Sequence, residues 1–155
     1  MTGDQAPRFF PWYRGFSALA RLVGSRLDLY ASTSRLVDDD RRVYRDDSPG
    51  FVGVRQGLAR IAEVARGSGA RVALFVHPIL YRLDDQYPFA GIHAKVLAAA
   101  RASGIEGFDL FDAFRGRDGM SLWVHPSDQH PNEEAHRIAA EFAADRLRPL
   151  LPACP

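Results

Sequence analysis

A run of five apolar residues, Val72-Ala73-Leu74-Phe75-Val76, is the feature that most limits what this chain can become. Breakers bracket it, with Gly67-Ser68-Gly69 before and His77-Pro78 after. A continuous apolar run of this length suits a strand buried on both faces of a parallel sheet. Pro78 ends it, because proline has no N–H to give the ladder. A parallel neighbour needs a crossover, and the following residues supply one. Ile92, Val96 and Ala99 or Ala100 mark the inner face of a helix closed by Ser103-Gly104. Phe108-Asp109-Leu110-Phe111 then reads as a second short strand ending near Asp112.

Helices flank this unit. Ser48 before Pro49 and a periodic run of Val54, Leu58, Ile61 and Ala65 predict a helix with Ser48 as N-cap and Pro49 in the first turn. Upstream, Trp12, Phe16, Leu19, Val23, Leu27 and Tyr30 recur at steps of three and four, predicting a helix from about Pro11 to Arg35. Asp38-Asp39-Asp40-Arg41-Arg42 reads as a polar connection. Residues Ile79 to Phe89 read as irregular, and Trp123 to His130 as a loop. A last helix is expected from Pro131, with Ala135, Ile138, Ala139 and Phe142 on one face.

Alternating helix and strand predict an α/β fold with a parallel sheet and right-handed crossovers. At 155 residues the chain is one domain's worth, with residues 1–48 a helical lead segment and 49–150 the α/β core. Two strands make a small sheet with both edges open, so the pattern is expected to be the later part of a doubly wound domain.

Charge narrows the partners. Twenty Lys and Arg against 19 Asp and Glu give a net charge of +1, which offers no attraction to nucleic acid or an anionic membrane. No apolar run approaches a membrane span and no targeting segment is visible, so a cytoplasmic location is expected. The single cysteine, Cys154, excludes an intramolecular disulfide and a cysteine-based metal cluster.

Sites in such sheets gather at the carboxyl ends of strands. Three polar stretches fall there: His77 to Tyr81, Asp112 to Arg115, and the segment holding Asp128 and His130. His130 precedes a proline, which biases its backbone towards an extended conformation and its ring towards a fixed projection. A carboxylate two residues back can reach one ring nitrogen and hold the tautomer. The other nitrogen can then accept a proton from a hydroxyl nucleophile. The same spacing also suits a helix-entry loop in which Asp128 caps backbone donors and His130 is incidental. His125, His130 and His136 with Asp128 admit a metal reading, but no pair has the i, i+4 helix-face spacing, so neither metal nor cofactor is expected. His77 can touch the site or be a buried structural histidine. Tyr81, Tyr87 and Phe89 can line a pocket or pack the loop on the next helix.

The segment from Trp123 to Ala139, with Asp128-Gln129-His130-Pro131-Asn132 followed by His136, resembles the C-terminal signature of the SGNH/GDSL hydrolases. The resemblance covers roughly residues 49 to 148. It implies a flavodoxin-type three-layer α/β/α arrangement, of which this chain holds the C-terminal part. It implies His130 and Asp128 as the base and orienting acid of a Ser-His-Asp triad, with Asn132 and His136 supporting them. The substrate it implies is an acyl or acetyl ester, a small molecule. In this family the nucleophile sits in a Gly-Asp-Ser block and an oxyanion donor in a Gly-x-Asn-Asp block. Here Gly3-Asp4 is followed by Gln5, and Asn132 is the only asparagine. A non-catalytic SGNH-like binding module or remnant is therefore the alternative expectation. An open strand edge beside apolar surface also leads us to expect self-association or a partner chain completing the sheet.

Overall fold

The computed structural model describes residues 37–126 and 128–151. The chain divides into two compact units, residues 1–39 and 40–155. The predicted helix from Pro11 to Arg35 lies outside the described residues. Residues 37–39 of the first unit and 40–43 of the second are helical. The Asp38–Arg42 run is thus helix where a connection was expected; it contains no glycine or proline to stop one.

Helix α1 spans Pro49–Ser68. The Ser48 hydroxyl accepts the Phe51 N–H at 3.1 Å, and Pro49 occupies the first turn. Gly69 closes the helix in the left-handed region, φ 69°, returning its N–H to the carbonyls of Ala65 and Arg66. The buried face carries Phe51, Leu58, Ala62 and Ala65, while Ile61 is 50% exposed. Ile61 was expected inside; the small Ala62 takes that place, packed in one cluster with Ala99, Ala100 and Ile105.

Strand β1 is Ala73–Val76, helix α2 is Ala90–Ala102 and strand β2 is Glu106–Asp109. The strands pair in parallel, from Ala73 opposite Glu106 to Val76 opposite Asp109, so the expected parallel pair and its helical crossover are present. Helix α2 lies directly on the sheet: a Cβ on Gly107 would stand 2.8 Å from the Leu97 side-chain tip, which would have to shift to admit it. On α2 the buried residues are His93, Ala99 and Ala100, with Ile92 only half-buried. The four β1 residues are each half-buried rather than enclosed on both faces. Leu74 packs into the core beside α2, and Phe75 stacks on Phe108 with ring centres 5.2 Å apart.

Strand β2 ends earlier than its apolar run. Asp109 Oδ1 accepts the Phe111 N–H at 2.9 Å, a side-chain turn that starts the short helix α3, Phe111–Phe114. The expected loop from Trp123 contains an antiparallel hairpin, β3 (Trp123–His125) with β4 (Asp128–Pro131), pairing Trp123 with Pro131 and His125 with Asp128. The last helix, α4, spans Glu133–Leu147, so Pro131 ends a strand instead of opening a helix. Asn132 is its N-cap, accepting the Ala135 N–H at 3.0 Å. Among the described residues, then, helices and strands are mixed, with one parallel and one antiparallel pair.

Candidate active site

Past the carboxyl end of β1, segment 77–80 faces segment 128–131 across an open cleft of about 410 Å³. One wall is mostly apolar, with Pro78, Ile79 and Leu80; the other carries Asp128 and His130. Trp123 ties the walls together, its indole N–H donating to the Leu80 carbonyl at 2.9 Å. Gly119 lets that wall approach, since a Cβ there would stand 2.4 Å from the Leu80 oxygen.

The Asp128 Oδ1 oxygen accepts two hydrogen bonds from one residue: the His130 ring Nδ1 at 2.5 Å and the His130 backbone N–H at 3.1 Å. One oxygen thus holds both the ring and the backbone of His130, and Asp128 lies in β4 rather than in a helix-entry loop, the helix cap being Asn132. The ring hydrogen bond, then the backbone one, keep the Asp128 carboxyl below the usual carboxylate range. With its proton on Nδ1, the His130 ring presents the Nε2 lone pair elsewhere. The His130 side chain is 85% exposed, so that nitrogen is accessible to an incoming hydroxyl or water.

Asn132 supports this pair through the backbone. Its Nδ2 donates to the carbonyls of Ser121 and Trp123 at 3.0 and 3.2 Å, so one side chain joins the hairpin to the start of α4. His136, exposed on α4, stands near enough to His77 to disfavour its protonation. His77 lines the cleft, with Nδ1 donating to the Pro78 carbonyl at 2.8 Å and its ring against Phe114. Tyr87 and Phe89 are buried and pack rather than line the cleft; Tyr87 stacks on Phe111 at 4.5 Å. In the Asp112–Arg115 stretch, Arg115 pairs with Asp85 at 2.9 Å and Asp112 at 3.6 Å. No three His, Cys, Asp or Glu side chains among the described residues converge to hold a metal ion.

A nucleophile does not meet His130 among the described serines. Ser48, Ser68, Ser103 and Ser121 each donate their hydroxyl to a backbone carbonyl within their own turn or helix end. Residues that sequence reasoning missed are His93, Asp109 and Trp123. Asp109 at a strand's carboxyl end was the one available signal.

His77 gives a pH signature. Partial desolvation, with the ring packed on Phe114, holds its imidazole below the usual range although His77 keeps an exposed edge; the Pro78 carbonyl opposes this, and His136 and His93 reinforce it. Below about pH 6.5 the unfolded chain therefore takes up a proton that the folded chain resists. Stability contributed here is full above that pH and declines as the pH falls through the folded value. Melting temperature is expected to fall as the pH drops below about 6.5, and His77→Gln to flatten that fall. An unchanged slope in the variant would remove His77 as its source.

No family model, curated protein or solved structure matches this chain. No helix among the described residues is long and apolar enough to cross a membrane.

Proposed function

We propose that this chain carries the acid–base part of an SGNH-type ester hydrolase. The observation behind this reading is the Asp128–His130 hydrogen bond on the lip of a cleft past the end of β1. A serine hydroxyl attacks the carbonyl of an acyl or acetyl ester, and its proton passes to His130 Nε2. His130 returns that proton to the leaving alcohol, and water then releases the acyl group by the reverse sequence. Asp128 holds the ring and stabilises the imidazolium. The parallel β1–β2 pair with its crossover helix supports an SGNH-like, flavodoxin-type α/β/α arrangement.

The nucleophile in this reading lies outside the four engaged serines. Their engagement favours a second reading, a binding module that keeps the cleft without the chemistry. A serine-directed fluorophosphonate probe separates the two. Labelling of a mapped serine, lost on mild denaturation, supports the hydrolase; no labelling supports the module.

We also propose that a second copy or a partner chain extends the parallel sheet. Each of β1 and β2 has one strand partner among the described residues, leaving the other edge of each without a strand. Sedimentation at low micromolar concentration is expected to show association. A compact monomer with a sharp, concentration-independent melt would overturn this.

A further inference from the structure

Beneath the cleft's apolar wall runs a chain of hydrogen bonds that the proposed chemistry does not use. Asp109 Oδ1 receives the His93 ring Nδ1 at 2.9 Å as well as the Phe111 N–H. His93 Nε2 lies 3.3 Å from the Tyr87 hydroxyl, and that hydroxyl accepts the Ile79 N–H at 3.0 Å. His93 is 5% exposed and Tyr87 is 6% exposed.

The protons follow from the ends of the chain. Burial raises the Asp109 carboxyl, but the His93 and Phe111 hydrogen bonds outweigh it and hold the group below the usual range. A carboxylate can only accept, so the proton sits on Nδ1 and is donated to Asp109, and the Nε2 of the neutral ring is acceptor for the tyrosine O–H. The tyrosine oxygen then has a lone pair for the Ile79 N–H. Two buried polar side chains, His93 and Tyr87, thus link a half-buried carboxylate to the Ile79 amide, and burying them is costly unless the position of that amide matters.

Ile79 is the middle of the cleft wall, and the next carbonyl, Leu80, holds the Trp123 indole. Trp123 pairs in turn with Pro131, the neighbour of His130. We propose that Asp109, His93 and Tyr87 are positioning residues that fix the Ile79–Leu80 wall and, through Trp123, the placement of the His130 ring. As a statement about a site, this rests on the reading of Asp128 and His130 as that site.

Nuclear magnetic resonance on the full chain tests it without turnover, so its failure is separable from failure of the hydrolase reading. Tyr87→Phe keeps the ring stack and removes only the hydroxyl. It is expected to speed exchange of the Ile79 amide about tenfold, the factor that one buried hydrogen bond is worth. It is also expected to displace the His130 ring resonances and leave the Leu110 amide, bonded to the Val76 carbonyl at 3.0 Å, protected. Leu58→Ala, which destabilises the packing between α1 and α2, serves as the control for general loosening and is expected to move neither readout. Should Tyr87→Phe not fold, Asp109→Asn is read in the same way. Unchanged Ile79 exchange, unmoved His130 resonances, or equal displacement in Leu58→Ala would overturn the proposal.

Discussion

Phe114→Ala is expected to lower the thermal midpoint by roughly 10–15 °C, from a loss of about 3–5 kcal/mol. Phe114 is 0% exposed, one of two large side chains that are wholly enclosed among the described residues. It sits at the end of α3, and the His77 ring packs on it with centres 5.2 Å apart. Truncation removes the transfer free energy of the ring and leaves a void that the neighbouring backbone cannot close. Close approaches nearby restrict that relaxation, because the Gly116 N–H donates to the Leu83 carbonyl just after the helix. Phe114→Leu should recover most of the loss, since it restores much of the volume. Circular dichroism melts of both variants check this, and a shift below about 3 °C for the alanine variant, under ~1 kcal/mol, would show that the site collapses freely.

His130→Ala carries the largest expected effect on chemistry. If Asp128 and His130 act as orienting acid and base, loss of the ring reduces kcat for an activated acetyl ester by about 10²–10⁴-fold. KM should change little, because the apolar wall of residues 78–80 stays intact. Asp128→Asn should reduce kcat as well, since a side-chain amide can favour the wrong ring tautomer. Both measurements belong on a preparation that shows turnover as wild type. Equal rates for wild type and His130→Ala would remove His130 from the mechanism.

What could be read from the sequence was local. Ser48 caps α1 because its partner is three residues away, and Asp128 meets His130 because they are two residues apart. The first strand was legible as a short apolar run beside a breaker, whereas β2 overlaps the Phe108–Phe111 run only at Phe108 and Asp109, because its first residues, Glu106 and Gly107, carry no apolar signal. The β3–β4 hairpin was not legible, since three- and four-residue strands containing histidine and proline show no alternation. Phe111 was assigned to the strand because its apolar character outweighed the turn chemistry of Asp109 in the pattern. His93 was hidden for another reason. A polar residue on an apolar helix face has no visible partner when that partner, Asp109, is 16 residues away. The cleft's second wall depends on the Trp123–Leu80 contact across 43 residues, which no periodicity encodes.

That contact gives the protein an optical reporter. The chain has two tryptophans, and Trp123 is 6% exposed with its indole N–H held by a backbone carbonyl. In Trp12→Phe all indole emission comes from Trp123, at the short wavelengths of a shielded ring. Anything that lifts the Leu80 carbonyl away, whether a ligand wedged into the cleft or a local opening of its wall, exposes the indole to water and moves the emission to the red. The same residue that braces the cleft therefore converts its opening into a colour change, on the millisecond scale that stopped-flow mixing resolves.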